Sequence, residues 1–170
     1  LRRANMLSAA LGEDPVPSHG DFTLTNLVWE TDRVLLTDLE SLDKRRNAFM
    51  DPVHLVHHAP VPPDTWTWQR DLLCQVVRDR RQEGIAPDRM ARQIEAASLA
   101  AATLRVAEAF VWDHRPSPLH GVPFAAWVRP RRELQDPGTG QLPHRLETLR
   151  LFLDSQRAAA WVRALIAEAG

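Results

Sequence analysis

The 170-residue chain is short of cysteine, of lysine and of long apolar runs, and each shortage excludes something. Its single cysteine, Cys74, has no partner for an intramolecular bridge, which excludes a disulfide-stapled secreted domain and leads us to expect a reducing, cytoplasmic compartment. No stretch reaches the ~20 apolar residues of a membrane-spanning helix, because Arg105 and Glu108 interrupt the best candidate between Ala96 and Trp112. No membrane partner is therefore expected. A net charge of −1 leaves no excess of positive charge for gripping a polyanion, so no nucleic-acid partner is expected either. Among the 21 basic residues only Lys44 is a lysine. The opening run Leu1-Arg2-Arg3-Ala4-Asn5-Met6 has neither an initiator methionine nor the apolar stretch and small residues of a secretory signal, and it reads as the inside of a longer polypeptide.

With 44% hydrophobic and 25% charged residues, the chain has the composition of an ordinary folded domain. Its length suffices to hide roughly two-thirds of the unfolded surface without disulfide or metal staples. There is no internal repeat and no low-complexity linker, so a single domain over residues 1–170 is expected. Met6, Leu7, Ala10 and Leu11 fall at helical spacing and stop at Gly12, before the turn residues of Glu13-Asp14-Pro15-Val16-Pro17. Asn26–Glu30 and Arg33–Thr37 are β-prone runs separated by Thr31-Asp32, the spacing of a tight hairpin.

Asp51-Pro52 reads as an N-cap followed by proline at the first helical position, opening a helix to about His58 that Pro60, Pro62 and Pro63 stop. Beyond it the pattern is helical over residues 65–170. One stripe holds Trp68, Leu72, Leu73, Val76 and Val77; a long alanine-rich helix runs from Pro87 to His114, with Met90, Ile94, Ala97, Ala101 and Leu104 inward. A Pro-rich stretch from Arg115 to Pro143 precedes one last helix through Leu146, Leu149, Phe152, Trp161, Val162, Leu165 and Ile166. The expected fold is mainly α with a small β-hairpin near its start.

The segment Ser18-His19-Gly20-Asp21-Phe22-Thr23-Leu24-Thr25-Asn26 places an Asp two residues after a His and five before an Asn. In phosphoryl transfer this spacing defines a loop whose Asp accepts the proton of the substrate hydroxyl and whose Asn binds magnesium. The duties are separated because an alcohol must be aligned and partly deprotonated, while nucleotide phosphates need a divalent cation beside them. Magnesium shares its shell between one or two acidic groups, phosphates and water, so a further carboxylate is required. Asp38 closes the second strand of the expected hairpin where Asn26 opens the first, and antiparallel pairing sets those two ends side by side.

These residues resemble the aminoglycoside phosphotransferase and choline kinase family, the small-molecule branch of the protein-kinase-like fold. His19-Gly20-Asp21 with Asn26 is similar to its catalytic loop, Thr37-Asp38-Leu39-Glu40 to its metal-binding aspartate segment, and Asp51-Pro52 to the dipeptide opening its next helix. The resemblance covers mainly residues 16–58, as catalytic loop, metal hairpin and Asp-Pro helix, with 65–170 as a helical subdomain. It implies a C-terminal lobe that transfers the γ-phosphoryl group of ATP, with Mg2+, to a hydroxyl of a small metabolite or antibiotic. It further implies Asp21 as catalytic base, His19 as support for the loop, Asn26 and Asp38 as metal and nucleotide ligands, and a structural Asp51; Glu40 is read either as lining the substrate side or as pairing with Arg45 or Arg46 at the surface. Two departures stand out: Val53-His54 replaces an acidic residue after Asp-Pro, and Phe22-Thr23-Leu24-Thr25 lacks the family's His-Pro-Gly. The eighteen residues before His19 hold no lysine, no Gly-rich turn and no strand pattern, so the N-lobe is expected to come from the same longer chain.

Other features carry plainer readings. His54, His57 and His58 lie at metal-ligand spacing on a helix but have no acidic or cysteine companion, and are expected on a partly buried face. Trp66 and Trp68 are expected in the core, Arg129, Arg131 and Arg132 on solvated surface, and Cys74 as a small buried hydrophobe. The acidic groups Asp64, Asp71, Glu83 and Asp113 have no spacing that brings them together around a cationic substrate. Two alternatives stand beside phosphoryl transfer: a non-catalytic kinase-like binding or scaffold module, and a metal-dependent hydrolase built on His19, Asp21 and Asp38.

Overall fold

Alanine-rich periodicity over 28 residues yields the longest element, and the rest of the chain is arranged around it. The computed structural model describes residues 2–39, 44–58, 65–114 and 141–170, with side chains for all but 111–114 and 141. In chain order these give α1 (Arg2–Leu11), β1 (Pro15–Pro17), β2 (Leu27–Trp29), β3 (Val34–Leu36), β4 (Arg45–Asn47), α2 (Met50–Val56), α3 (Trp68–Gln82), α4 (Pro87–His114), α5 (Gln141–Leu153) and α6 (Ser155–Glu168). The described residues thus form a mainly helical structure with two small antiparallel sheets, β1 with β4 and β2 with β3. None of their helices is long and apolar enough to cross a membrane.

Central α4 touches α1, α2, α3, α5 and α6. Small side chains along it let neighbours approach from several sides. Met90, Ile94, Ala97 and Ala101 bury against Val53 and Val56 of α2, Leu73 and Val77 of α3, and Val162 and Leu165 of α6. Leu104 is exposed, contrary to expectation, because the buried position one turn beyond Ala101 is taken by Arg105. The inward stripe of α3 holds Leu73 and Val77 as expected, with Leu72 and Val76 partly buried against the core, but Trp68 faces solvent and Gln69 takes the buried position at that end. Trp66 and Cys74 are buried as expected.

Three other expectations are corrected. Residues 15–17 form a strand, not only a turn, pairing Pro15 with Asn47 and Pro17 with Arg45. The last helix is two, because Asp154 leaves the helical conformation and its carboxylate accepts from the N–H groups of Gln156 and Arg157, capping α6. Asp51 is not the cap of α2, which starts one residue earlier at Met50. Arg129, Arg131 and Arg132 lie outside the described residues.

Polar anchors tie the sheets and α1 to the helical body. Asn47 is buried and fully used: Nδ2 donates to the carbonyls of Ala10 (3.1 Å) and Gln93 (3.0 Å), and Oδ1 accepts from Phe49 N–H. Arg3 pairs with Glu95 at 2.7 Å and donates to the last carbonyls of α5, those of Phe152 and Leu153. Those carbonyls have no partner inside their own helix.

Candidate active site

The two sheets grip the motif-bearing loop from either end. At its entrance β1 pairs with β4, Ser18 N–H donates to the Lys44 carbonyl at 3.0 Å, and Arg46 reaches the Gly20 carbonyl at 3.2 Å. At its exit a single 3-10 turn, Leu24–Asn26, leads into the hairpin, with Leu27 opposite Leu36 and Trp29 opposite Val34. Gly20 between them has φ of 84°, a conformation that costs glycine little and any side chain more.

Asp51 is the main clamp. Its carboxylate accepts from Ser18 Oγ (2.8 Å), His19 N–H (2.7 Å) and Gly20 N–H (3.0 Å). An ionised acceptor strengthens each of these bonds, so the first helical turn of α2 fixes the backbone just before Asp21. Buried His19 points away from solvent, and its Nε2–H donates to the Thr37 carbonyl at 2.7 Å, tying the loop to the end of the hairpin.

Asp21 remains well exposed. Asn26 Nδ2 donates to the Asp21 carbonyl at 2.9 Å and approaches the Asp21 carboxylate at 3.4 Å. With its nitrogen so committed, Asn26 keeps its other amide atom, Oδ1, as an acceptor with no donor among the described residues. Thr37 closes the circuit, its N–H donating to the Asn26 carbonyl at 3.0 Å. The next residue, Asp38, is exposed, makes no hydrogen bond or ion pair among the described residues, and sits at a φ of 59°. Such backbone conformations at a non-glycine residue gather at functional sites. Asp21 and Asn26 are thus directly linked, and His19 and Asp38 join them through the backbone of Thr37. Glu40 lies outside the described residues.

The donor set suits magnesium: one amide oxygen and one carboxylate, both without partners among the described residues, leave room for phosphate oxygens and water. Among the described residues no three His, Cys, Asp or Glu side chains gather to hold a metal.

Sequence reasoning missed Arg105. It stands on α4 one turn beyond Ala101, and a charge on an otherwise apolar stripe was the available signal. Its side chain is 9% exposed; Nη1 bonds Glu108 at 2.7 Å, and Nη2 lies 4.0 Å from Asp21 Oδ1. His54 and His57 are buried on α2 and at its end, not partly exposed. Burial, then the Arg105 charge, lowers the His54 pKa to about 4; burial, His54, Arg105 and Arg145 lower that of His57 to about 3. Both rings are neutral near pH 7 and serve as packing, His57 lying edge-on to Trp66 at 5.0 Å. No known family model, curated protein or solved structure matches the chain.

Proposed function

We propose that this chain is the catalytic C-lobe of a small-molecule phosphotransferase, carrying a phosphoryl group from ATP to a substrate hydroxyl with Mg2+. The observation that carries this reading is the linked circuit of His19, Thr37, Asn26 and Asp21, clamped by Asp51, which leaves one exposed carboxylate beside one unpartnered amide oxygen. Asp21 orients the incoming hydroxyl and accepts its proton. Asn26 Oδ1 and the Asp38 carboxylate hold the cation, which when bound offsets the charge of the nucleotide phosphates. His19 and Asp51 keep the loop in place and touch neither reactant.

A nucleotide-gripping half of the same longer polypeptide completes the site in this reading. The hairpin supports it by exposing Val28, Trp29, Val34 and Leu35, an apolar surface of the kind that marks an interaction face. In a polypeptide carrying both halves, Asp21→Ala lowers ATP-dependent phosphorylation of a hydroxylated acceptor by about a thousandfold with its melting temperature unchanged. Undiminished turnover in that variant would overturn the reading.

A further inference from the structure

Arg105 is a buried cation on an otherwise apolar stripe of α4, and its pairing with Glu108 does not explain the burial. Glu108 lies three residues further along the same helix, and pairs of that spacing form equally well on a solvent-facing side. Nη1 donates to Glu108 at 2.7 Å, whereas Nε and Nη2 are both buried without an acceptor. Dry, unspent donors on a full charge are costly. The cavity that Arg105 lines with His57 and Arg145 has a free volume of ≈ 10 Å³, room for about one water and nothing larger. What Nη2 faces is Asp21.

Nη2 lies 4.0 Å from Asp21 Oδ1, while Asn26 Nδ2 approaches Oδ2 of the same carboxylate at 3.4 Å. The two oxygens are thus addressed from two elements, one by the loop itself and the other by the central helix of the body. Both distances exceed that of a strong hydrogen bond, so the carboxylate is steered while its lone pairs stay open. Solvent screens a buried charge less than a surface one, which gives Arg105 its reach. Among the described residues no other cation comes within 4.0 Å of the Asp21 carboxylate. Buried His54 of α2 feels the charges of both Arg105 and Asp21, and being neutral near pH 7 it adds no second positive charge.

We propose that Arg105 is a positioning residue of the candidate active site, holding the Asp21 carboxylate in the orientation that receives the acceptor hydroxyl. The inference rests on Asp21 serving that hydroxyl, as proposed above. Arg105 touches neither reactant; it acts through Asp21 and couples the wet loop to the packed body. A cation in direct contact would occupy the oxygens that the hydroxyl needs, and no cation at all would let the carboxylate turn about its Cα–Cβ bond. A buried charge set back at 4.0 Å avoids both.

The first test needs neither nucleotide nor metal, so its outcome is independent of phosphoryl transfer. In the full 170-residue chain, three-bond couplings from Asp21 Cγ to its own backbone nitrogen and carbonyl carbon report the rotamer about Cα–Cβ. The expected result is one dominant rotamer in the wild type, averaging in Arg105→Gln, and one rotamer retained in Glu108→Gln, whose amide oxygen still accepts from Nη1. A single rotamer that survives Arg105→Gln overturns the proposal. Equal loosening in both variants also overturns it, since Arg105 and Glu108 would then be a structural pair only. Should Arg105→Gln fail to fold, Asp21→Asn decides: it shifts the assigned Arg105 side-chain N–H resonances, and no shift overturns the proposal. In a polypeptide carrying both halves, Arg105→Gln lowers kcat about tenfold and leaves KM for ATP and acceptor unchanged, because alignment is lost and binding is not. An unchanged kcat overturns the proposal. Rotamer control by Arg105 in a polypeptide that transfers no phosphate would keep the positioning of Asp21 and discard the phosphotransferase.

Discussion

The helical body and the loop region of residues 16–39 solve opposite problems with the same chain. Around α4, Phe49, Leu73, Met90, Ile94 and Leu165 are fully buried, and shape is held by apolar contact. Around Asp21 the strands are three residues long, side chains such as Trp29 are 73% exposed, and shape is held by a few directed polar bonds. Apolar burial is forgiving of small shifts but fixes no individual atom. Hydrogen bonds to Asp51 and Thr37 fix atoms but supply little net stability. A site that must hold a carboxylate in one place while leaving it wet is built from the second kind of contact and mounted on the first.

This contrast is sharpened most by acid. Folded His54 and His57 have pKa values of about 4 and about 3 against 6.5 for the ordinary group, so between these limits the unfolded chain takes up protons that the folded chain refuses. Stability is therefore complete above about pH 6.5 and falls as the pH drops. On the order of 5 kcal/mol is lost by pH 4 for the two together. Urea unfolding at a series of pH values measures it, and a flat profile from pH 7 to 5 contradicts the buried-neutral assignment. Next in size is Phe152→Ala. That ring is fully buried between His57 and Trp161, and its removal costs about 4 kcal/mol by denaturant midpoint.

Asp51→Ala lies between the regions. It strips Ser18, His19 and Gly20 of a common acceptor and costs about 2 kcal/mol, with faster amide exchange confined to residues 18–21. Were exchange to rise throughout α2 as well, loop and body would not be separable. The smallest effect belongs to Trp29→Ser on the open hairpin, a change within about 0.5 kcal/mol. A larger loss would mean that the hairpin stabilises the body.

The elements legible in the sequence were those fixed by local pattern. The helix over 87–114 follows from spacing alone, and the β2–β3 hairpin from two β-prone runs around Thr31-Asp32. That His19, Asp21 and Asn26 lie in one loop was legible because their spacing is local in the chain. The pairing of β1 with β4 was not, since it joins residues some thirty positions apart through a strand holding Pro15 and Pro17, which lack ladder donors. Asp51 looked like a helix cap because capping is what an Asp before Pro does locally; its use by residues 18–20 exists only in three dimensions. Arg105 was read merely as a charge interrupting an apolar run, because nothing in one sequence says that it meets Arg145 across a cavity.

The central proposal is that Asn26 Oδ1 and the Asp38 carboxylate would together hold one divalent cation beside Asp21. Mn2+ titration of the chain, followed by paramagnetic broadening of assigned amide signals, tests it most directly. The account predicts that residues 21, 26 and 38 broaden first, and that Asp38→Asn removes the effect while leaving the unfolding midpoint unchanged. Broadening spread evenly over the acidic surface, or persisting in that variant, would contradict it.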